Sequence, residues 1–175
     1  MFKKRGFTLI ELLIVIALLG ALAVGLLAAL DPFEQLKKGT DTGVRNTVSE
    51  VHGAVIRFYA IKNYMPWCND SACSVPLDGQ ADTIPAPALL TSLTNTIAAV
   101  VLTGELKSDF SSLAGVGTLG KIYVNGSNTN ATVSVCYKPT SKSFIADANT
   151  KFTQAGEDTC GAADPTHATC YWCVK

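Results

Sequence analysis

The stretch Lys3-Lys4-Arg5-Gly6-Phe7-Thr8-Leu9-Ile10-Glu11-Leu12-Leu13, with the apolar run that continues it to Leu30, decides how this chain is read. Three bases come first. From Leu12 to Leu30 every residue is apolar or glycine. As a helix that run is roughly 29 Å long at about 1.5 Å per residue, which fits a bilayer core of about 30 Å. Glu11 stands inside its leading edge. A carboxylate at that depth is costly, and the default reading of one is functional, with a partner to be named.

Two plain readings explain part of this segment. A removable secretory signal would have the basic start, the apolar stretch and a cleavage-like Ala21-Leu22-Ala23 triplet. The apolar run continues past Ala23, however, and Glu11 interrupts what should be its most apolar part. A simple membrane anchor accounts for the length but leaves Gly6-Phe7 and Glu11 without a role.

Lys4-Arg5-Gly6-Phe7-Thr8-Leu9-Ile10-Glu11-Leu12-Leu13 resembles the N-terminal signature of type IV pilins and pseudopilins, the class III prepilin type. The resemblance is specific over Lys3 to about Leu30, continues as architecture to about Ile61, and is weak beyond. It implies that a prepilin peptidase cuts between Gly6 and Phe7 and that Phe7 is then N-methylated. It implies that Glu11 sets subunit register in a helical polymer of the chain with itself and other pilins. It also implies an inner-membrane assembly platform with its ATPase as partners. The physical logic agrees. Cleavage creates an α-amine at Phe7, mostly protonated near neutral pH, and a buried carboxylate needs such a partner. Fixing register is the best-attested use of a buried pair. The bland alternative is a Glu11 solvated by lipid headgroups.

The implied organisation has four parts: a leader peptide at residues 1–6, a transmembrane and filament-core helix at 7–30, an amphipathic extension at 31–62, and a head at 63–175. Lys3, Lys4 and Arg5 place the leader in the cytoplasm by the positive-inside rule, against Lys37 and Lys38 beyond the span. The head is then outside, first at the inner membrane and later on a surface or periplasmic filament. Formal charge is balanced, with 14 bases and 14 acids. No basic patch or basic stripe with aromatic spacing suggests nucleic-acid binding.

Gly20 and Pro32 bracket a stretch where the helix is expected to melt or kink. Val44, Val48, Val51, Val55 and Phe58 then recur at helical spacing, which predicts one buried face under a sheet, with a coiled-coil seam as runner-up. Asn63-Tyr64-Met65-Pro66 ends the helix. Pro66, Pro76, Pro85 and Pro87 punctuate a variable connection, with one or two short helices within Ala88 to Leu102. Gly115 to Gly120 reads as a turn and lacks the context of a phosphate loop. Lys121–Val124, Ala131–Tyr137 and Ser143–Ala146 read as three antiparallel strands, with a turn opening at Asn125-Gly126. The predicted fold is α+β: a long N-terminal α-helical spine, half transmembrane and half amphipathic, packed against a small antiparallel β-sheet, as in pilins.

Six cysteines, Cys68, Cys73, Cys136, Cys160, Cys170 and Cys173, all lie beyond the apolar span and suggest disulfides in an exported head. Cys68–Cys73 is the favoured pair, and the other four are expected to tie the tail from Cys160 to Cys173 back to the strand of Cys136. Cys170-Tyr171-Trp172-Cys173 has the spacing of a redox dithiol or half a zinc site, but no thioredoxin-like context. His52 is expected at a helix–sheet boundary and His167 in a solvated loop, with no nucleophile paired to either. The residues imply no enzyme, no catalytic residue and no cofactor. Calcium is the one metal considered, on Asp147, Asn149, Glu157 and Asp158, with solvated loop charges as the default. Asn69-Asp70-Ser71, Asn125-Gly126-Ser127 and Asn130-Ala131-Thr132 match the glycosylation sequon. The functional expectation is a structural subunit of a type IV pilus-like filament. The alternatives are a pseudopilin of a type II secretion system and a non-polymerising, membrane-anchored binding or redox module.

Overall fold

The computed structural model describes residues 6–29, 31–84 and 86–175. Lys3, Lys4, Arg5, Leu30 and Pro85 lie outside them. The chain forms two compact units, residues 1–36 and 37–175.

In the first unit, α1 (Leu9–Ala29) is apolar on every face, and its large side chains from Leu9 to Leu27 are exposed. Leu9–Leu27 is long and apolar enough to cross a membrane. The helix runs unbroken through Gly20 and Gly25. A second helix, α2 (Pro32–Lys62), starts afresh after Asp31. The Asp31 Oδ1 accepts the Glu34 N–H at 3.2 Å, and the Asp31 carbonyl accepts the Gln35 N–H at 3.2 Å. Pro32 occupies the first helical position, where a missing N–H costs nothing. In this structure Pro32 therefore begins a helix, and Gly20 does not interrupt one.

In the second unit, Val44, Val48, Val51, Ala54, Val55 and Phe58 of α2 are all buried. They share one core with Trp67, Leu90, Leu93, Ile97, Val100, Ile122, Val124, Val133, Val135 and Tyr137. The valine stripe is thus a core face. The helix closes at Asn63, whose φ is +59° and whose N–H reaches the Tyr59 carbonyl at 2.7 Å. Asparagine is one of the few residues that tolerates this left-handed closing position.

The sheet is antiparallel, with five strands in the order β1-β2-β3-β5-β4. They are β1 (Ala88–Leu89), β2 (Ile122–Ser127), β3 (Thr132–Tyr137), β4 (Thr150–Phe152) and β5 (Tyr171–Val174). Ile122 pairs with Tyr137, Val124 with Val135 and Gly126 with Val133, so these residues share one face. Between β1 and β2 come a 3-10 turn (Leu90–Ser92) and three helices, α3 (Thr94–Leu102), α4 (Phe110–Ala114) and α5 (Val116–Leu119). The other two helices are short, α6 (Lys142–Ile145) and α7 (Cys160–Ala163).

Three expectations of the sheet need correction. Asn125-Gly126 lies within β2, and the turn comes at residues 128–131. Gly126 is needed in the strand because a Cβ there would come 2.7 Å from the Trp67 ring and 2.5 Å from the Thr132 carbonyl. Ser143–Ala146 is no strand; α6 occupies most of it. The preceding turn is clamped to α2, because the Asp41 carboxylate accepts the N–H groups of Thr140 (3.0 Å) and Ser141 (2.7 Å) and the Thr140 hydroxyl (3.0 Å). The place beside β3 is taken by β5, which Cys136–Cys173 joins to it at directly opposed positions. Gly115 to Gly120 is also no simple turn. Gly115, with φ +74°, separates α4 from α5.

Candidate functional site

The N-terminal cluster is built by the first turn of α1. Gly6, Phe7 and Thr8 precede the helix in non-helical, exposed backbone. Phe7 is 85% exposed. A Cβ at Gly6 would meet nothing within 4 Å, so the chain itself places no steric demand for glycine there. Gly6 and Phe7 are both exposed.

Thr8 and Glu11 form a reciprocal cap. The Thr8 N–H and the Thr8 hydroxyl both donate to Glu11 Oε2 at 2.8 Å, and the Glu11 N–H donates to Thr8 Oγ1 at 3.3 Å. This is the capping-box arrangement, in which two otherwise orphaned helix N–H groups are satisfied by side chains. The anionic end also complements the positive N-terminus of the helix dipole. Glu11 Oε1 takes none of these bonds. The role of Thr8 was missed in the sequence, although the Thr-x-x-Glu spacing that signals it is there.

The cysteines form three bridges: Cys68–Cys73, Cys136–Cys173 and Cys160–Cys170. The first is the favoured pair. Of the tail cysteines only Cys173 reaches the strand of Cys136. Cys136–Cys173 ties the tail to that strand, and Cys160–Cys170 closes a loop inside the tail. Cys170 and Cys173 are not bonded to each other, and no described cysteine is free.

The remaining candidates are dispersed. His52 is half-buried, its Nε2 has no hydrogen-bond partner among the described residues, and burial pulls its imidazole pKa below the usual value. His167 is partly buried rather than solvated: its Nδ1 is buried without a partner, and its φ is +57°. Asp147 accepts the Asn149 N–H and pairs with Arg45 at 3.1 Å, which together hold its carboxyl below the ordinary range against the effect of partial burial. Arg45 in turn lies over the rings of Trp172 and Phe144, at 4.2 and 5.1 Å. Asp158 pairs with Lys151 at 2.6 Å, and the Glu157 side chain is exposed. Among the described residues no three His, Cys, Asp or Glu side chains gather as a metal site.

Residues 1–27 match the family model of the prokaryotic N-terminal methylation motif. That match is the class III prepilin signature of type IV pilins and pseudopilins. The matched residues include the Gly6–Phe7 bond, the Thr8–Glu11 cap and most of α1. Over those residues the chain is similar to processed, pilin- and pseudopilin-like subunits. With the apolar helix this match fits membrane anchoring before assembly into a surface filament. No curated protein and no solved structure matches the chain.

Proposed function

We propose that the chain is the structural subunit of a type IV pilus-like filament, cut after Gly6, methylated at Phe7 and polymerised through α1. One observation carries this reading: a methylation motif runs directly into a helix whose apolar side chains are exposed on every face. Such a helix needs lipid or other helices around it. In the precursor it sits in the inner membrane, with the leader inside and the head outside. An assembly platform driven by an ATPase then moves it into a bundle of identical helices.

Glu11 acts at both stages. In the single chain, Oε2 is held by Thr8 and caps α1. In the polymer, Oε1 receives the protonated Phe7 amine of a neighbour. That pair sits in an apolar core and fixes axial register, because every other alignment leaves a buried charge unpaired.

Substitution separates the two roles. Glu11→Ala is expected to be processed normally but to lower the yield of sheared filaments by about tenfold or more, the scale of losing one buried partner. Thr8→Val removes the two hydroxyl bonds of the cap and keeps the backbone N–H bond and the carboxylate, so it is expected to retain most of the incorporation. Wild-type filament yield from Glu11→Ala would remove the register role. At Gly6 a bulky residue is expected to block cleavage, although the structure has room for it.

A further inference from the structure

The turn between β2 and β3 is pinned to the head by one side chain after another. The buried Ser127 hydroxyl accepts the Thr83 hydroxyl at 3.1 Å and the Asn130 N–H at 3.2 Å. The Asn128 side chain accepts the Met65 N–H at 2.8 Å and donates to the Ser71 carbonyl at 3.0 Å. The Thr129 hydroxyl donates to Asp82 Oδ2 at 2.9 Å. The pattern then stops. Asn130 and Thr132 are exposed, and neither the Asn130 amide nor the Thr132 hydroxyl has a hydrogen-bond partner among the described residues. A rigid turn thus presents an unused amide, with an unused hydroxyl two residues on.

Asn130-Ala131-Thr132 is one of the three sequons, and the structure separates it from the other two. Asn69 lies in the loop closed by Cys68–Cys73, and its Oδ1 accepts the Val75 N–H at 2.9 Å. Asn125 lies in β2, opposite Ser134. Its Nδ2 donates to the Ala155 carbonyl at 3.0 Å, and the hydroxyl residue of its sequon, Ser127, is buried. A group attached at Asn125 would break a hydrogen bond and leave the Ala155 carbonyl without that donor. At Asn130 nothing is broken. Asn130 and Thr132 also line an open groove of about 730 Å³ together with Thr83, Asn125 and Ser127, so the space beside the amide is edged by hydroxyl and amide groups that can bond to a sugar.

We propose that Asn130 is the acceptor of an N-linked oligosaccharide, with Thr132 as the hydroxyl residue of its recognition sequence. The donor is an oligosaccharide carried on a lipid pyrophosphate, and a membrane-bound transferase moves it. The Asn130 Nδ2 bonds to the anomeric carbon, and the bond from that carbon to the phosphate oxygen breaks. The lipid pyrophosphate leaves, and a base of the transferase takes one Nδ2 proton. The step rests on the reading above only in needing the head outside the cytoplasm; it does not need the chain to polymerise.

The test is mass spectrometry of the full chain purified from the membranes of native cells, reduced, alkylated and cut with trypsin. The peptide from Ile122 to Lys142 is expected to carry added sugar mass, which fragmentation places on Asn130. Asn130→Gln and Thr132→Ala are each expected to lose all of that mass, and Thr132→Ser to keep it. Asn69→Gln is expected to keep it as well. An unmodified peptide, from a chain whose head is cut by protease added outside the inner membrane, would overturn the proposal. Sugar found only on Asn69 or Asn125 would overturn it too, as would added mass that survives Thr132→Ala. A head that such protease does not reach would defeat the outside location itself, and the modification with it.

Discussion

Thr8 and Glu11 show how a carboxylate at the head of an apolar helix finds donors within its own chain. A glutamate at the head of an apolar helix needs a donor in every state it passes through. In the single chain its own helix supplies two. Asp41 has the same logic inside the head. It is buried, and it holds the Thr140–Ser141 backbone against α2 through three accepted hydrogen bonds. Asp41→Ala leaves the Thr140 and Ser141 N–H groups without this acceptor, and Ser141 is buried. The expected loss is about 2–4 kcal/mol, read by chemical denaturation of the full chain in detergent, with Asp41→Asn losing less because one oxygen remains. Equal stability of Asp41→Ala and the unaltered chain would show that the clamp is dispensable.

At the scale of elements, α3 depends on a residue far from it in sequence. Asp78, at a left-handed φ of +52°, accepts the N–H groups of Asn95 (3.0 Å) and Thr96 (2.8 Å) and both their side chains. It is a remote N-cap. Burial alone would push its carboxyl up, but these bonds reverse that and hold it below the ordinary value. Its stabilising effect is therefore complete above the unfolded value of about 3.9 and fades as pH falls through the lower folded value. Asp78→Asn is expected to cost about 0.5–2 kcal/mol at neutral pH, with a difference from the unaltered chain that shrinks below about pH 4. Melting in a pH series checks this, and a constant difference down to pH 2 would contradict it.

The same scale shows what the sequence could tell. The valine stripe was legible because five residues keep helical spacing, and all five are buried. The end of α2 was legible from Asn63, whereas Pro32 reads as a kink and instead opens the helix. The Asp78 cap was not, because a contact over 17 residues leaves no local pattern. Nor was β5. Tyr171–Val174 does not alternate clearly, and its place is set by pairing with β3 and by the Cys136 bridge. Ser143–Ala146 misled for the opposite reason: strand-forming residues were turned into α6 by a clamp made 100 residues away. At the N-terminus the methylation motif could be read because its residues are contiguous, whereas the partner proposed for Glu11 belongs to another molecule.

For the whole molecule, one unit carries an apolar helix and the other a disulfide-braced head. Cys136–Cys173 spans 37 residues and joins β3 to β5, and Cys160–Cys170 closes the loop between them. Replacing Cys136 and Cys173 with alanine is expected to cost the head about 2–5 kcal/mol and to raise its protease sensitivity, without altering cleavage at Gly6. The central claim is that the chain is processed at its N-terminus and then polymerises. The mass of the N-terminal peptide in filaments sheared from the native cells tests this most directly. A start at Phe7 with one added methyl group is expected, in the sheared fraction as well as in the membrane. A start at Met1, or after Ala23, would contradict the account and remove the Glu11–amine pair; a methylated Phe7 start confined to the periplasmic fraction would contradict the surface filament alone.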